Sequence, residues 1–106
     1  MKNPTVSIIL PTYNRGRLIG DAIRRILRQT SADFELLIAD DGSTDDTAEV
    51  IRALQKETGD PRIVYIPLDH MGGAQARNAA IKRARGEFIA SQDDDDEWHP
   101  DYLKEQ

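Results

Sequence analysis

Asp93-Asp94-Asp95-Asp96-Glu97, a run of five acids near the end of the chain, is the densest concentration of chemistry in the sequence. In an extended segment alternate residues share a face roughly 6–7 Å apart, twice the strand rise. Asp93 and Asp95 can therefore point together into one crevice. Two carboxylates with no sulfur or imidazole beside them make a hard oxygen site, which favours Mg2+ or Mn2+ over zinc. Mg2+ commonly takes one or two protein carboxylates and fills its shell with water and substrate phosphates. A site of this kind stays half built until a diphosphate arrives. The competing reading is a solvated acidic turn, the usual fate of a block of like charge. Against it, the run follows an apolar strand pattern and precedes Trp98, which is hard to leave in water. An EF-hand is excluded, because Trp98 stands where that loop needs glycine.

Three other segments offer polar groups at fixed offsets. Within Pro11-Thr12-Tyr13-Asn14-Arg15, Tyr13 can stack on a nucleobase, and Thr12 or Asn14 can bond to base or ribose edges. The same residues equally suit a turn whose tyrosine caps the core. In Asp40-Asp41-Gly42-Ser43 one carboxylate can accept a base N–H such as uracil N3–H, while Asp, Gly and Ser also serve turns and helix caps. Gly72-Gly73 with Arg77 and Asn78 offers a backbone N–H edge and a guanidinium to phosphate. No Gly-x-x-x-x-Gly-Lys-Ser/Thr occurs, and no Gly-x-Gly-x-x-Gly follows the first strand, which excludes a P-loop and disfavours a dinucleotide dehydrogenase. His70 and His99 stand isolated and read as structural or exposed.

Strand and helix periodicities alternate along the chain and would position these groups. Val6–Leu10, Phe34–Ala39, Ile63–Ile66 and Phe88–Ser91 are short apolar runs, each closed by proline, aspartate or a polar segment. Between the first two, Leu18, Ile19, Ala22, Ile23, Ile26 and Leu27 form one helical stripe, with arginines opposite. Ser43-Thr44-Asp45-Asp46 resembles a helix start, and the helix after it carries Ala48, Ile51 and Leu54 on one face. A third helix opens at Gly72-Gly73 with Ala76, Ala80 and Ala84, and Pro100 suits the first turn of a last one. The expected fold class is α/β, a Rossmann-like, mainly parallel four-stranded sheet with helices on both faces and right-handed crossovers. Ligands bind such sheets beyond the carboxyl ends of the strands, where strand order reverses. That points to four loops: 11–16, 40–46, 68–73 and 92–100.

At 106 residues the chain reads as a single domain, residues 1–106. With no cysteine it has neither a disulfide framework nor a thiolate metal site. A net charge of −5 argues against a general nucleic-acid binder, which needs lysine and arginine to displace counterions. No apolar run reaches the roughly 18–20 residues that cross a bilayer, and no apolar region follows Met1-Lys2-Asn3-Pro4 as a signal peptide requires. The expectation is a soluble, cytoplasmic polypeptide with no membrane segment.

Together, Val6–Arg15, Phe34–Asp45, Ala76-Arg77-Asn78-Ala79-Ala80, and Ala84–Ile89 leading to Asp93–Asp96 resemble glycosyltransferase family 2, whose catalytic domains have the GT-A fold. The match covers nearly the whole chain in order. The resemblance implies the N-terminal, nucleotide-sugar-binding portion of a metal-dependent, inverting transferase of hexosyl type. Asp93 and Asp95 fill the family's Asp-x-Asp positions, with the later acid on a Mn2+ or Mg2+ that bridges the diphosphate, and Asp94 reaching ribose. Tyr13 packs on the base within the loop Pro11, Thr12, Asn14 and Arg15, Asp41 contacts the base, and Arg77 supports the nucleotide. A UDP-sugar donor, a glycan or lipid-linked acceptor, polysaccharide biosynthesis and a place at the cytoplasmic face of a membrane follow for the full-length enzyme. The general base is expected beyond Gln106, so these residues alone are expected to be inactive. Four successive aspartates leave the metal register open by one position, and Ala90-Ser91-Gln92 is more polar than the segment usual before the motif. A receiver domain fits poorly, because Pro11-Thr12-Tyr13 replaces its acid pair after strand one. A nucleotidyltransferase would want a Gly-rich basic loop there, which only Arg15-Gly16-Arg17 approximates. A non-catalytic module with a solubilising acidic loop is the remaining alternative.

Overall fold

Seven elements alternate along the chain in a computed structural model that describes residues 4–29 and 33–92. They are β1 (Val6–Thr12), α1 (Gly16–Gln29), β2 (Phe34–Asp40), α2 (Thr47–Thr58), β3 (Ile63–Pro67), α3 (Gly73–Arg83) and β4 (Phe88–Ser91). The expected last helix at Pro100, His99 and the acids Asp93, Asp94 and Asp95 lie outside the described residues.

All strand pairs are parallel, in the order β3-β2-β1-β4. The chain steps outward from β1 to β3, then returns past β1 to place β4 on the other side. Right-handed crossovers in opposite directions put their helices on opposite faces. Accordingly α1 and α2 cover one face, where Ile19, Ile23, Ile26, Ile51 and Leu54 pack on Val6, Ile8, Leu10, Leu36 and Ile38. Helix α3 covers the other, where Ala76 and Ala80 lie on Ile9, Leu37, Ala39 and Ile66. Small alanines at spacing four bring that helix close to the sheet. Strand order reverses between β1 and β4, so the crevice for a ligand opens at their carboxyl ends.

Three details differ from the expectation. Pro11 remains inside β1, which runs on to Thr12. Ile9 and Pro11 share one parity, and Ile9 O accepts the Gln92 N–H of the β4 side. The missing Pro11 donor thus faces the side where the described pairing of β1 with β4 has already ended, at Ile9 opposite Ser91. Helix α2 begins at Thr47 rather than at Ser43, because Ser43, Thr44 and Asp45 are held by the first loop. Leu18 does not join the buried stripe of α1; it is 42% exposed, and burial starts at Ile19.

A polar node ties the amino ends of the strands on the α3 face. Glu35, although buried, accepts hydrogen bonds from Ser7 Oγ at 2.6 Å and from Arg85 N at 2.7 Å. Ser7 Oγ in turn accepts the Gly86 N–H at 2.8 Å. A side chain at Gly86 would place Cβ 2.5 Å from Ser7 N, so the turn into β4 needs glycine for close approach.

Candidate active site

Two loops at the carboxyl ends of β1 and β2 are laced together by Asn14. Its φ of 52° is a left-handed conformation that asparagine tolerates better than most residues. Its amide N–H donates to Ser43 Oγ at 2.8 Å, and its Oδ1 accepts the N–H groups of Thr44 at 2.7 Å and Asp45 at 3.2 Å. Asp45 closes the circuit by accepting Gly16 N and Thr47 N through its two carboxylate oxygens. The Thr47 hydroxyl, foremost, and these amides hold the Asp45 carboxyl below the usual range. The carboxamide oxygen of Asn14 is thus committed to shaping the loop.

Asp40, the last residue of β2, and Asp41 just after it have different duties. Asp40 accepts Ser43 N at 3.0 Å and the Tyr65 hydroxyl at 2.6 Å. Burial, and secondly that bond to a carboxylate, push the Tyr65 phenol up to about 12. Asp41 reaches across to the loop after β3, accepting Met71 N at 2.8 Å on Oδ1 and Gly72 N at 3.1 Å on Oδ2. His70 joins it, with Nδ1 3.0 Å from the Asp41 carbonyl oxygen and 3.1 Å from Oδ2. Gly42 sits beneath this loop at φ 76°, and a Cβ there would lie 2.8 Å from His70 N. Tyr13, 41% exposed, meets the His70 ring at a centroid separation of 4.5 Å and a tilt of 31°.

The structure therefore gathers Tyr13, Asp41 and His70 at one end of the sheet. Pro11 and Thr12 lie beneath them, at the end of β1, and the Thr12 carbonyl accepts Asp41 N at 2.9 Å. Arg77 stands in the second turn of α3, the helix that starts from the same loop. Its Nε is buried and has no hydrogen-bond partner among the described residues. An orphaned guanidinium nitrogen is costly unless an anion meets it. Arg15 lies to the side: with Asn14, Gly16, Arg17, Leu18 and Asp45 it lines a cleft of about 370 Å3 that includes none of Tyr13, Asp41 or His70.

No group of three metal-ligating side chains occurs among the described residues. The expected cation ligands Asp93 and Asp95, and the expected ribose ligand Asp94, belong to the segment outside them. Sequence reading did not place His70 in the site. Its position, a few residues before Gly72-Gly73 in a loop already singled out, was the available signal.

Open parallel α/β sheets bind their ligands beyond the carboxyl ends of the strands, and Tyr13, Asp41 and His70 meet at the carboxyl ends of β1, β2 and β3. The glycosyl transferase family 2 profile matches residues 7–106. This chain is a member of glycosyl transferase family 2, and its sheet is that of the GT-A fold. Over 102 residues it is 46% identical to WcaA of Escherichia coli (strain K12), provisionally named a colanic acid biosynthesis glycosyl transferase, covering 95% of this chain and 36% of that protein. Among solved structures, the mannosyltransferase PcManGT of Pyrobaculum calidifontis in complex with GDP-Man and Mn2+ matches at TM-score 0.85 and 28% identity, over 97% of this chain and 31% of its own. Staphylococcus aureus TarS 1–349 in complex with UDP matches at TM-score 0.79 and 29% identity, over 95% of this chain and 30% of its own. The chain thus spans about a third of the length of these relatives. No helix among the described residues is long and apolar enough to cross a membrane.

Proposed function

We propose that this chain binds the nucleotide-diphosphate sugar of a metal-dependent, inverting glycosyltransferase, with uridine as the favoured base. The observation that carries the reading is the meeting of Tyr13, Asp41 and the loop leading to Arg77 at the carboxyl ends of β1, β2 and β3, in a family whose solved neighbours hold GDP-Man with Mn2+ and UDP. Tyr13 supplies a stacking surface for the base, on the floor made by Pro11 and Thr12. Asn14 fixes the loop that carries Tyr13, and Arg15 flanks it. Arg77, on the helix that starts from the loop after β3, offers its guanidinium to the donor's phosphates, where a planar, permanently charged fork is favoured. Asp95, with Asp93, would hold a divalent cation, Mn2+ or Mg2+, and Asp94 the ribose. When bound, the cation neutralises the charge growing on the departing diphosphate.

Transfer in the whole enzyme then needs a base to take the proton of an acceptor hydroxyl as it attacks the anomeric carbon from the opposite face. We assign these residues donor binding and expect no sugar transfer from the 106-residue polypeptide alone. The acceptor is a glycan or a lipid-linked sugar met in the cytoplasm or at the cytoplasmic face of a membrane. Thermal melts with UDP, GDP, CDP and ADP, each with and without Mn2+, test the proposal. A ligand at a hundred times its dissociation constant stabilises the native state by about 2.7 kcal/mol. A shift for UDP that needs Mn2+ is the expected result. Melting curves indifferent to every nucleotide would refute the donor site.

A further inference from the structure

We propose that the arginine-bearing face of α1 is an electrostatic docking surface for an anionic phospholipid bilayer. The surface gives the membrane contact allowed above a place on the molecule, and it does not depend on donor binding.

Helix α1 carries Arg17, Arg24, Arg25 and Arg28 against a single acid, Asp21, although the chain as a whole has a net charge of −5. Ile19, Ala22, Ile23 and Ile26 turn inward and are buried. At about 100° per residue, Arg17, Arg24 and Arg28 fall within one narrow arc opposite them. All three are exposed, and Arg25 is half-buried on their flank. The arc runs along about 16 Å of helix, at 1.5 Å per residue. Glu57 of α2 meets Arg24 at 3.2 Å, with both side chains open to solvent, 46% and 65% exposed. A pair so exposed contributes little and yields readily to another anion. Helix α2, packed beside α1, balances Glu49 and Glu57 with Arg52 and Lys56, so the positive excess of α1 stands.

Arg17 borders the cleft beside Asp45, and Arg24 and Arg28 stand two and three turns further along an open helix side. Guanidinium groups spread along a convex side suit a planar array of phosphates, which needs no shaped complement. Leu18, 42% exposed, shares the flank of Arg25 and offers an apolar contact at headgroup level. An exposed leucine favours a bilayer over a nucleic acid, and α1 has no aromatic side chain to stack on a base. An anionic leaflet raises affinity about fivefold for each arginine near it, and the attraction fades within a Debye length of about 10 Å at 0.1 M salt. A chain of net charge −5 is repelled by such a surface unless it presents a basic face, so adhesion is oriented. Because α1 starts at the loop that carries Tyr13, docking along it holds the mouth of the candidate site beside the bilayer.

Vesicle sedimentation of the 106-residue chain tests the surface without any nucleotide. The vesicles are pure phosphatidylcholine, or phosphatidylcholine and phosphatidylglycerol in equal parts, each at low and at physiological salt. Wild type is expected to sediment with the phosphatidylglycerol vesicles at low salt, to leave them as salt rises, and to ignore pure phosphatidylcholine. Arg17→Gln/Arg24→Gln/Arg28→Gln should weaken that binding at least about tenfold. Lys56→Gln/Lys82→Gln/Arg83→Gln removes as much charge from α2 and α3 and should stay within about twofold of wild type. Circular dichroism melts establish that both variants fold; should the first fail, Arg17→Gln/Arg28→Gln replaces it and keeps the Arg24–Glu57 pair. Wild type that ignores phosphatidylglycerol, or binds both vesicles alike, overturns the assignment, and so do equal losses in the two variants. Tighter retention of a short duplex DNA than of the phosphatidylglycerol surface would also overturn it, making the stripe a nucleic-acid face.

Discussion

Replacing Glu35 tests how a buried carboxylate can stabilise the sheet that carries the site. Its side chain accepts Ser7 Oγ at 2.6 Å and Arg85 N at 2.7 Å on one oxygen, and Arg85 Nε at 3.2 Å on the other. Glu35→Ala strands two donors at the base of the sheet, Ser7 Oγ and Arg85 N, while the half-exposed guanidinium turns to water. An unsatisfied buried donor costs about 1–3 kcal/mol, and Arg85 N is only part-buried, so the expected loss is about 3 kcal/mol. Glu35→Gln keeps an oxygen for both donors and sets an amide only against the guanidinium, so it should cost about 1 kcal/mol. Urea unfolding followed by circular dichroism reads both. The pH dependence follows from the same contacts. Burial alone would raise the carboxyl, but the bonds from Ser7 and Arg85 with the Arg85 charge outweigh it and hold it below the usual carboxylate range. A group depressed on folding stabilises above its unfolded value, and that stability is lost as pH falls through the folded value. The wild-type chain should therefore lose more stability between neutral pH and pH 3 than Glu35→Gln does. A Glu35→Ala protein within about 0.5 kcal/mol of wild type, the scatter of ordinary surface changes, would refute the reasoning.

Other outcomes follow from single contacts. Ultraviolet titration should find one tyrosine ionising last, near pH 12, and Asp40→Asn should bring it down, because burial and the bond to Asp40 are what raise Tyr65. Gly42→Ala imposes a side chain at φ 76° and 2.8 Å from His70 N. It should cost at least about 1 kcal/mol in stability and weaken UDP binding by displacing the loop. Arg77→Ala should weaken UDP by about tenfold or more while leaving uridine unchanged, and Arg77→Lys should restore little, since a point charge does not reproduce the guanidinium fork. Equal losses for UDP and uridine in a calorimetric titration would remove Arg77 from the phosphates.

The winding of the sheet was legible because burial on both faces leaves a strand such as Val6–Leu10 apolar but for Ser7, and α3 announces its close approach through Ala76 and Ala80. The loops 11–16, 40–46 and 68–73 were legible from the alternation of strands and helices, and the loop expected at 92–100 lies, but for Gln92, beyond the described residues. What escaped were bonds between residues far apart in sequence. Ser43-Thr44-Asp45 carries a helix-start pattern, yet Asn14, about 30 positions away, claims its backbone donors. Glu35 looks misplaced in an apolar strand until Arg85 arrives from 50 residues on. His70 adjoins Asp69 in sequence, but the acid it meets in the site, Asp41, reaches it only through the fold. Pro11 reads as a strand terminator, and only the register of β4 shows why β1 continues through it.

In the proposed function a divalent ion joins this chain to a nucleotide diphosphate. Electron paramagnetic resonance of Mn2+ measures that bridge directly, because the sharp signal of the free ion fades on binding. We predict weak uptake of Mn2+ by the protein alone, uptake strengthened when UDP is added beyond what UDP takes up by itself, and loss of that gain in Asp95→Ala. A free-ion signal that the protein never reduces below the level set by UDP would contradict the account.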